Sequence, residues 1–109
     1  MARPDLGDME YLVLLAILRL GQDAYGIPIL DEVSGRSRRE VSRATVYMAL
    51  KRLEQKGLVT SRLGDSTPER GGRAKRYFKL KAAGLKALRE SREMFLGLWQ
   101  DYESVLDHS

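Results

Sequence analysis

The side chains able to do chemistry in this 109-residue chain are mostly cations and hydroxyls, and they cluster. Between Arg36 and Lys81 there are 14 Lys and Arg against four Asp and Glu. Residues 1–35 and 82–109 are both net acidic, so the overall charge of +4 hides a basic middle between acidic ends. That distribution suits a polyanion, because neutralising phosphates and releasing their counterions supplies most non-specific affinity for nucleic acid. Two short stretches concentrate the relevant groups. Ser42, Arg43, Ala44, Thr45, Tyr47, Met48 and Lys51 form the first, and Arg70, Arg73, Lys75 and Arg76 the second. Hydroxyls and guanidinium groups there can donate to phosphate oxygens or base edges, which is reversible contact and not bond-making.

Covalent and metal chemistry are poorly served. The chain has no cysteine, and its single histidine, His108, lies one residue from the C-terminus. Adjacent carboxylates such as Asp31 and Glu32 would point about 100° apart on a helix, with nothing else converging on them. No enzyme activity, cofactor or metal is expected. The longest apolar run, Tyr11 to Leu18, is far short of the roughly 20 residues that span a bilayer, and no secretory leader precedes it. A cytoplasmic protein without membrane contact is the expectation.

Positioning these groups requires a set of short elements. A first helix is predicted over about residues 8–20, with Leu12, Leu15, Ala16 and Leu20 at helical spacing and Gly21 as terminator. After a loop at Asp23–Gly26, a second helix with Pro28 in its first turn carries Ile29, Leu30 and Val33 inward and ends near Gly35. Ser42 is a good N-cap for a third helix reaching Lys56, with Gly57 beyond it; Val46, Ala49, Leu50 and Leu53 share its apolar face. The period then changes to that of strands, at Leu58–Leu63 and Arg76–Leu80, joined by a polar, glycine-rich loop. Phe78 and Leu80 are expected inward, with Tyr77 and Lys79 outward. One long helix, about Ala82 to Leu106, closes the chain. Its stripe of Leu85, Leu88, Arg92, Phe95, Trp99, Tyr102 and Leu106, widened by Met94, Leu98 and Val105, is larger than one small domain needs and predicts a homodimer.

Three helices, a two-stranded wing and a further helix describe a mainly α fold: a winged helix-turn-helix (1–81) with a C-terminal dimerisation helix (82–109). Tyr25-Gly26, Thr45-Val46-Tyr47 followed by Leu50-Lys51-Arg52-Leu53-Glu54 and Gly57-Leu58-Val59, and Gly71-Gly72-Arg73 leading into Arg76–Leu80 resemble the signature blocks of the PadR family of bacterial transcriptional regulators. Three positions depart from its pattern: Met48 where proline is frequent, Pro28 at the start of the second helix, and Lys81 where threonine commonly caps the last helix.

The resemblance implies a DNA-binding regulator, by family habit a repressor, that dimerises through its last and first helices. Such a dimer would bind a pseudo-palindromic operator through Ser42, Arg43, Thr45, Tyr47, Met48 and Lys51 on the recognition helix and Arg70, Arg73, Lys75 and Arg76 on the wing. Its interface would use Leu85, Leu88, Phe95, Trp99, Tyr102 and Leu106. Relatives that stack flat aromatic effectors between interface tryptophans make Trp99 a candidate ligand contact. Two other readings share the basic surface: a non-specific architectural DNA-binding protein, and a winged-helix module that meets an acidic protein partner.

Overall fold

The computed structural model describes residues 6–64 and 74–108. Local sequence sets each boundary. Helix α1 (Asp8–Leu20) begins where the Gly7 N–H donates to Glu10 Oε1 at 2.9 Å, satisfying a donor ahead of the helix. Gly21 ends it with φ 59°, and a 3-10 turn (Gly21–Asp23) follows. Helix α2 (Gly26–Ser37) has Pro28 in its first turn, where a backbone N–H would have no helical partner. It runs two residues beyond the expected stop at Gly35, because the left-handed residue that terminates it is Arg38, with φ 57°.

Helix α3 (Arg43–Gln55) is capped at both ends as its sequence predicts. The Ser42 side chain accepts from the Thr45 N–H at 3.1 Å. At the other end Gly57 (φ 76°) donates to Glu54 O and Leu58 to Leu53 O, each at 3.0 Å, the paired bonds of a Schellman termination.

Strands β1 (Val59–Leu63) and β2 (Arg76–Leu80) pair antiparallel, with Val59 opposite Leu80 and Ser61 opposite Phe78. The Phe78 N–H donates to Ala24 O at 2.8 Å, and Tyr25 bridges Tyr77, so the connector ahead of α2 is laced to the hairpin. That contact explains one departure from strict alternation. Tyr77 is half-buried and not outward, because its ring stands edge-on to Tyr25 at 5.3 Å between centroids.

The core is built from Val13, Leu14, Ala16 and Ile17 of α1, Ile29 and Val33 of α2, Val46, Ala49, Leu50 and Leu53 of α3, Leu58 and Val59, and Ala87 and Leu88. Leu30, Phe78 and Leu80 pack against it half-buried. On α1 the expected seam is rotated: of its four residues only Ala16 is fully buried, and Leu12, Leu15 and Leu20 flank the core. This helix is covered on more than one side, so its apolar residues are too numerous for spacing to select the innermost ones.

Helix α4 spans Ala82–Trp99 and is shorter than expected. Gln100 (φ −51°, ψ 130°) and Asp101 (φ 72°) leave the helical region, so Tyr102 and Leu106 lie beyond it, Leu106 in a final 3-10 turn (Leu106–His108). From Arg92 onward every described residue is exposed, and helices of this length draw their stability mainly from packing. The N-cap, Lys81, makes no side-chain capping bond, as its replacement of threonine implies; its N–H donates instead to Leu58 O at 3.0 Å.

Candidate nucleic-acid interface

Helix α3 presents two faces of opposite character. Val46, Ala49, Leu50 and Leu53 face the core, whereas Arg43, Ala44, Thr45, Tyr47, Met48 and Lys51 are exposed; Met48 keeps 50% of its surface and Tyr47 46%. At the start of the helix Ser42 Oγ and Thr45 Oγ1 are 2.8 Å apart. Since only one of the two hydroxyls donates in that pair, the other proton is available to an outside acceptor.

The wing flanks this helix. Lys75 does not extend freely from the loop: its Nζ lies 4.1 Å from the centre of the Tyr25 ring, a cation–π contact worth about 0.5–1 kcal/mol at an exposed site. Arg76 is committed as well. Its Nη1 donates to Ser61 Oγ at 3.1 Å, and Ser61 Oγ donates to Glu54 Oε2 at 2.8 Å, so a chain of hydrogen bonds ties the base of the wing to the far end of α3. Arg62 stacks over the Tyr77 ring at 5.2 Å. Arg70 and Arg73, expected as wing contacts, lie outside the described residues.

Between α3 and the base of the wing is a cleft of about 710 Å³. Tyr47, Lys51 and Glu54 line one side, Ala74, Lys75 and Arg76 the other, and Tyr25, Gly26 and Ile27 close the end. Of the sequence-predicted contacts, Tyr47, Lys51, Lys75 and Arg76 therefore converge on one concavity, while Ser42, Arg43 and Thr45 sit at the helix start. Sequence alone gives Tyr25, Gly26, Glu54 and Ser61 no contact role. The Tyr25-Gly26 pair was visible as a motif, but the pairing that carries it to the wing is long-range.

A second concavity, about 780 Å³, surrounds the α2–α3 turn and is lined by Arg38, Arg39 and Ser42 among others. It adds two exposed guanidinium groups beside the α3 N-terminus, in a segment that reads from sequence only as a polar connector.

Ion pairs brace the scaffold behind this surface. Glu10, almost fully buried, lies 2.7 Å from Lys56 Nζ and links α1 to the end of α3. Burial alone would raise its carboxyl, but the Lys56 hydrogen bond, the Gly7 N–H and the charges of Lys56 and Arg52 together hold it below its ordinary value. Glu32 accepts from both Arg19 and Arg36, at 2.7 and 3.0 Å, and those two bonds hold its carboxyl low.

In α4, Leu88 is buried in the protomer, so it belongs to the core and not to an exposed stripe. Leu85, Met94, Phe95, Leu96, Leu98, Trp99, Tyr102, Val105 and Leu106 are exposed. Phe95 meets Tyr11 of α1 edge-on at 6.2 Å. Among the described residues no helix is long and apolar enough to cross a membrane, and no cluster of acidic, histidine or cysteine side chains could hold a metal ion.

Comparison with known proteins agrees with this arrangement. Residues 14–90 match the model of the transcriptional regulator PadR-like family. An uncharacterised protein of Lysinibacillus sphaericus is 29% identical over 111 residues, covering 98% of this chain and 94% of its own. The crystal structure of a PadR family transcription regulator from Clostridium difficile aligns with a TM-score of 0.66 at 25% identity, over 94% of this chain and 97% of that one. A PadR-like transcription factor from Bacteroides fragilis aligns at 0.64 and 26% identity, over 92% and 87%. With a family match over most of its length and the winged-helix fold of those structures, this chain belongs to the PadR-like family of DNA-binding transcriptional regulators, and its activity is regulatory, not enzymatic.

Proposed function

We propose that the protein acts in the cytoplasm as a homodimeric, sequence-specific repressor of a pseudo-palindromic operator. What carries this reading is the exposed face of α3: Arg43, Thr45, Tyr47, Met48 and Lys51 stand on a helix capped at both ends and flanked by a basic wing. The major groove admits one such helix, whose side chains can then reach base edges while Ser42 and the wing residues Arg70, Arg73, Lys75 and Arg76 take phosphates.

The exposed apolar residues of residues 82–109 support the dimer. Leu98 retains 71% of its surface, and Phe95, Trp99, Tyr102 and Leu106 add to a patch that a monomer would leave in water. Leu85 is exposed on the first half of the same helix, and Leu88 is buried and anchors α4 to the core. Two-fold symmetry would set the recognition helices about 34 Å apart, one turn of duplex. In such a dimer Trp99 is the residue offered to a small flat aromatic effector.

Fluorescence anisotropy tests the reading, using a labelled duplex from the region upstream of the chain's own gene and a scrambled duplex of equal length, over a range of salt. A preference of a hundredfold, about 2.7 kcal/mol, with affinity falling steeply as salt rises, is the expected result. Equal binding to both duplexes would replace it with the architectural reading, and binding to neither with the protein-contact reading. Sedimentation equilibrium should show a dimer that Phe95→Asp converts to monomer.

A further inference from the structure

The cleft between α3 and the wing holds one side chain, Tyr47, against a glycine. Gly26 is the first residue of α2, with an ordinary backbone conformation that any side chain could adopt. A Cβ placed there would nevertheless meet the Tyr47 hydroxyl at 2.8 Å, closer than such atoms approach, whereas the ring carbons lie at 3.4 and 3.6 Å, ordinary contact. A larger residue at this position is opposed by one atom only, the Tyr47 oxygen at the tip of its side chain. Because Tyr47 is half exposed, it could swing away at little cost in stability, so what the glycine preserves is where that hydroxyl stands.

Two cations border the same space. Lys51 lies one turn along α3 from Tyr47, and Lys75 is held on the Tyr25 ring, itself fixed by the edge contact with Tyr77 and by the Phe78–Ala24 backbone bond. Glu54 would repel an anion, but its Oε2 is turned to Ser61. A hydroxyl donor and two ammonium groups around a cleft open to solvent suit a single tetrahedral anion on a chain.

We propose that this cleft is the seat of one backbone phosphate of the bound duplex, with Lys75 and Lys51 supplying charge, the Tyr47 hydroxyl donating, and Gly26 and Tyr25 acting as positioning residues for Tyr47 and Lys75. The inference rests on the DNA-binding reading given above. It assigns Tyr47 to the phosphate backbone and leaves base reading to Arg43, Thr45 and Met48.

The test is a double-mutant cycle read by anisotropy on the scrambled duplex as well as the upstream one, since phosphate contacts carry no sequence information. Gly26→Ala and Tyr47→Phe should each weaken binding about threefold to tenfold on both duplexes, the range of one hydrogen bond. In the double variant Gly26→Ala should add nothing further, because the atom it displaces is gone. Lys75→Gln should lower the slope of log affinity against log salt by about one. A duplex carrying a neutral methylphosphonate at one position should bind the wild type more weakly and cost Lys75→Gln clearly less, because only the Lys51 and Tyr47 contacts remain to be lost there, which locates the seat even if Gly26→Ala proves unstable. Additive losses in the double variant, unchanged binding by Gly26→Ala, or an unaltered salt slope for Lys75→Gln would overturn the proposal. Failure of the regulator reading shows differently, as a wild type that does not discriminate between the duplexes, and leaves the seat measurable on either.

Discussion

Replacing glycine by alanine inside a helix ordinarily stabilises it by up to about 1 kcal/mol, yet Gly84 and Gly35 should respond with opposite signs. Gly84 is buried in the first turn of α4, and a Cβ there would overlap the Leu58 carbonyl oxygen well inside contact distance, with Leu80 Cδ2 at 3.1 Å and the Leu58 carbonyl carbon at 3.2 Å. Relief by rotation is blocked, because the same Leu58 oxygen accepts from the Lys81 N–H at 3.0 Å at the head of that helix. Helix α4 would have to move away from Leu58, drawing its own Ala87 and Leu88 out of the core. Overpacking of this kind costs about 1–3 kcal/mol, and a backbone obstacle belongs at the upper end. Setting the gain in propensity against it leaves Gly84→Ala less stable by about 1–2 kcal/mol, a fall in melting temperature of roughly 4–10 °C for a domain of this size. Gly35 sits exposed in α2 with nothing within 4 Å of a Cβ, so Gly35→Ala should raise stability by about 0.5 kcal/mol. Urea denaturation followed by circular dichroism, with protomer concentration held equal, measures both. A Gly84→Ala protein as stable as wild type would refute the argument that α4 docks through a glycine-sized contact.

The Glu10–Lys56 pair has a pH signature. Because the folded carboxyl lies below its unfolded value, its contribution is present above about pH 4.3 and is lost as pH falls through the folded value. Lys56→Met should cost about 2 kcal/mol at pH 7 by leaving a buried carboxylate uncompensated, more than Glu10→Gln, and the deficit should shrink by pH 3.5 as the carboxyl protonates; a deficit independent of pH in urea titrations would contradict this. Ser61→Ala breaks the Arg76–Ser61–Glu54 chain and releases both the guanidinium proposed to take a phosphate and the Glu54 carboxylate, without removing a charge. It should weaken DNA binding severalfold with an unchanged salt slope, and an altered slope in the anisotropy titration would show that Arg76 reaches its phosphate only while Ser61 holds it.

Much of the fold is legible because short-range rules dominate where they apply. Ser42 capping onto Thr45 and Gly57 at the Schellman position are decided within a few residues, so both ends of α3 follow from sequence. The strands follow from their period of two. Legibility fails where distant contacts choose. The inner face of α1 depends on what packs on each side, and the half-burial of Tyr77 depends on Tyr25, far away in the chain. The end of α4 is illegible for the complementary reason: apolar spacing continues through Tyr102 and Leu106, but a stripe promises a helix only where a surface covers it. In the site, residue type identified the cations but not their commitments. Lys75 on Tyr25 and Arg76 on Ser61 read from sequence as free wing charges, and Gly26 as part of a loop.

Those commitments bear on how the surface can work. A two-stranded hairpin is marginal by itself in water, and a wing that had to be ordered on binding would give up affinity to conformational entropy. Here the base of the hairpin is held from three sides: by the Phe78–Ala24 bond and the Tyr25–Tyr77 contact toward α2, by Ser61 on Glu54 toward α3, and by Lys81 on Leu58 toward α4. The distance between Lys75 and the exposed face of α3 is therefore set before any duplex arrives. Since α4 begins immediately after β2 and its cap is one of those ties, a shift of α4 in the proposed dimer would be transmitted first to Leu58 and the hairpin, and through Ser61 and Glu54 to α3.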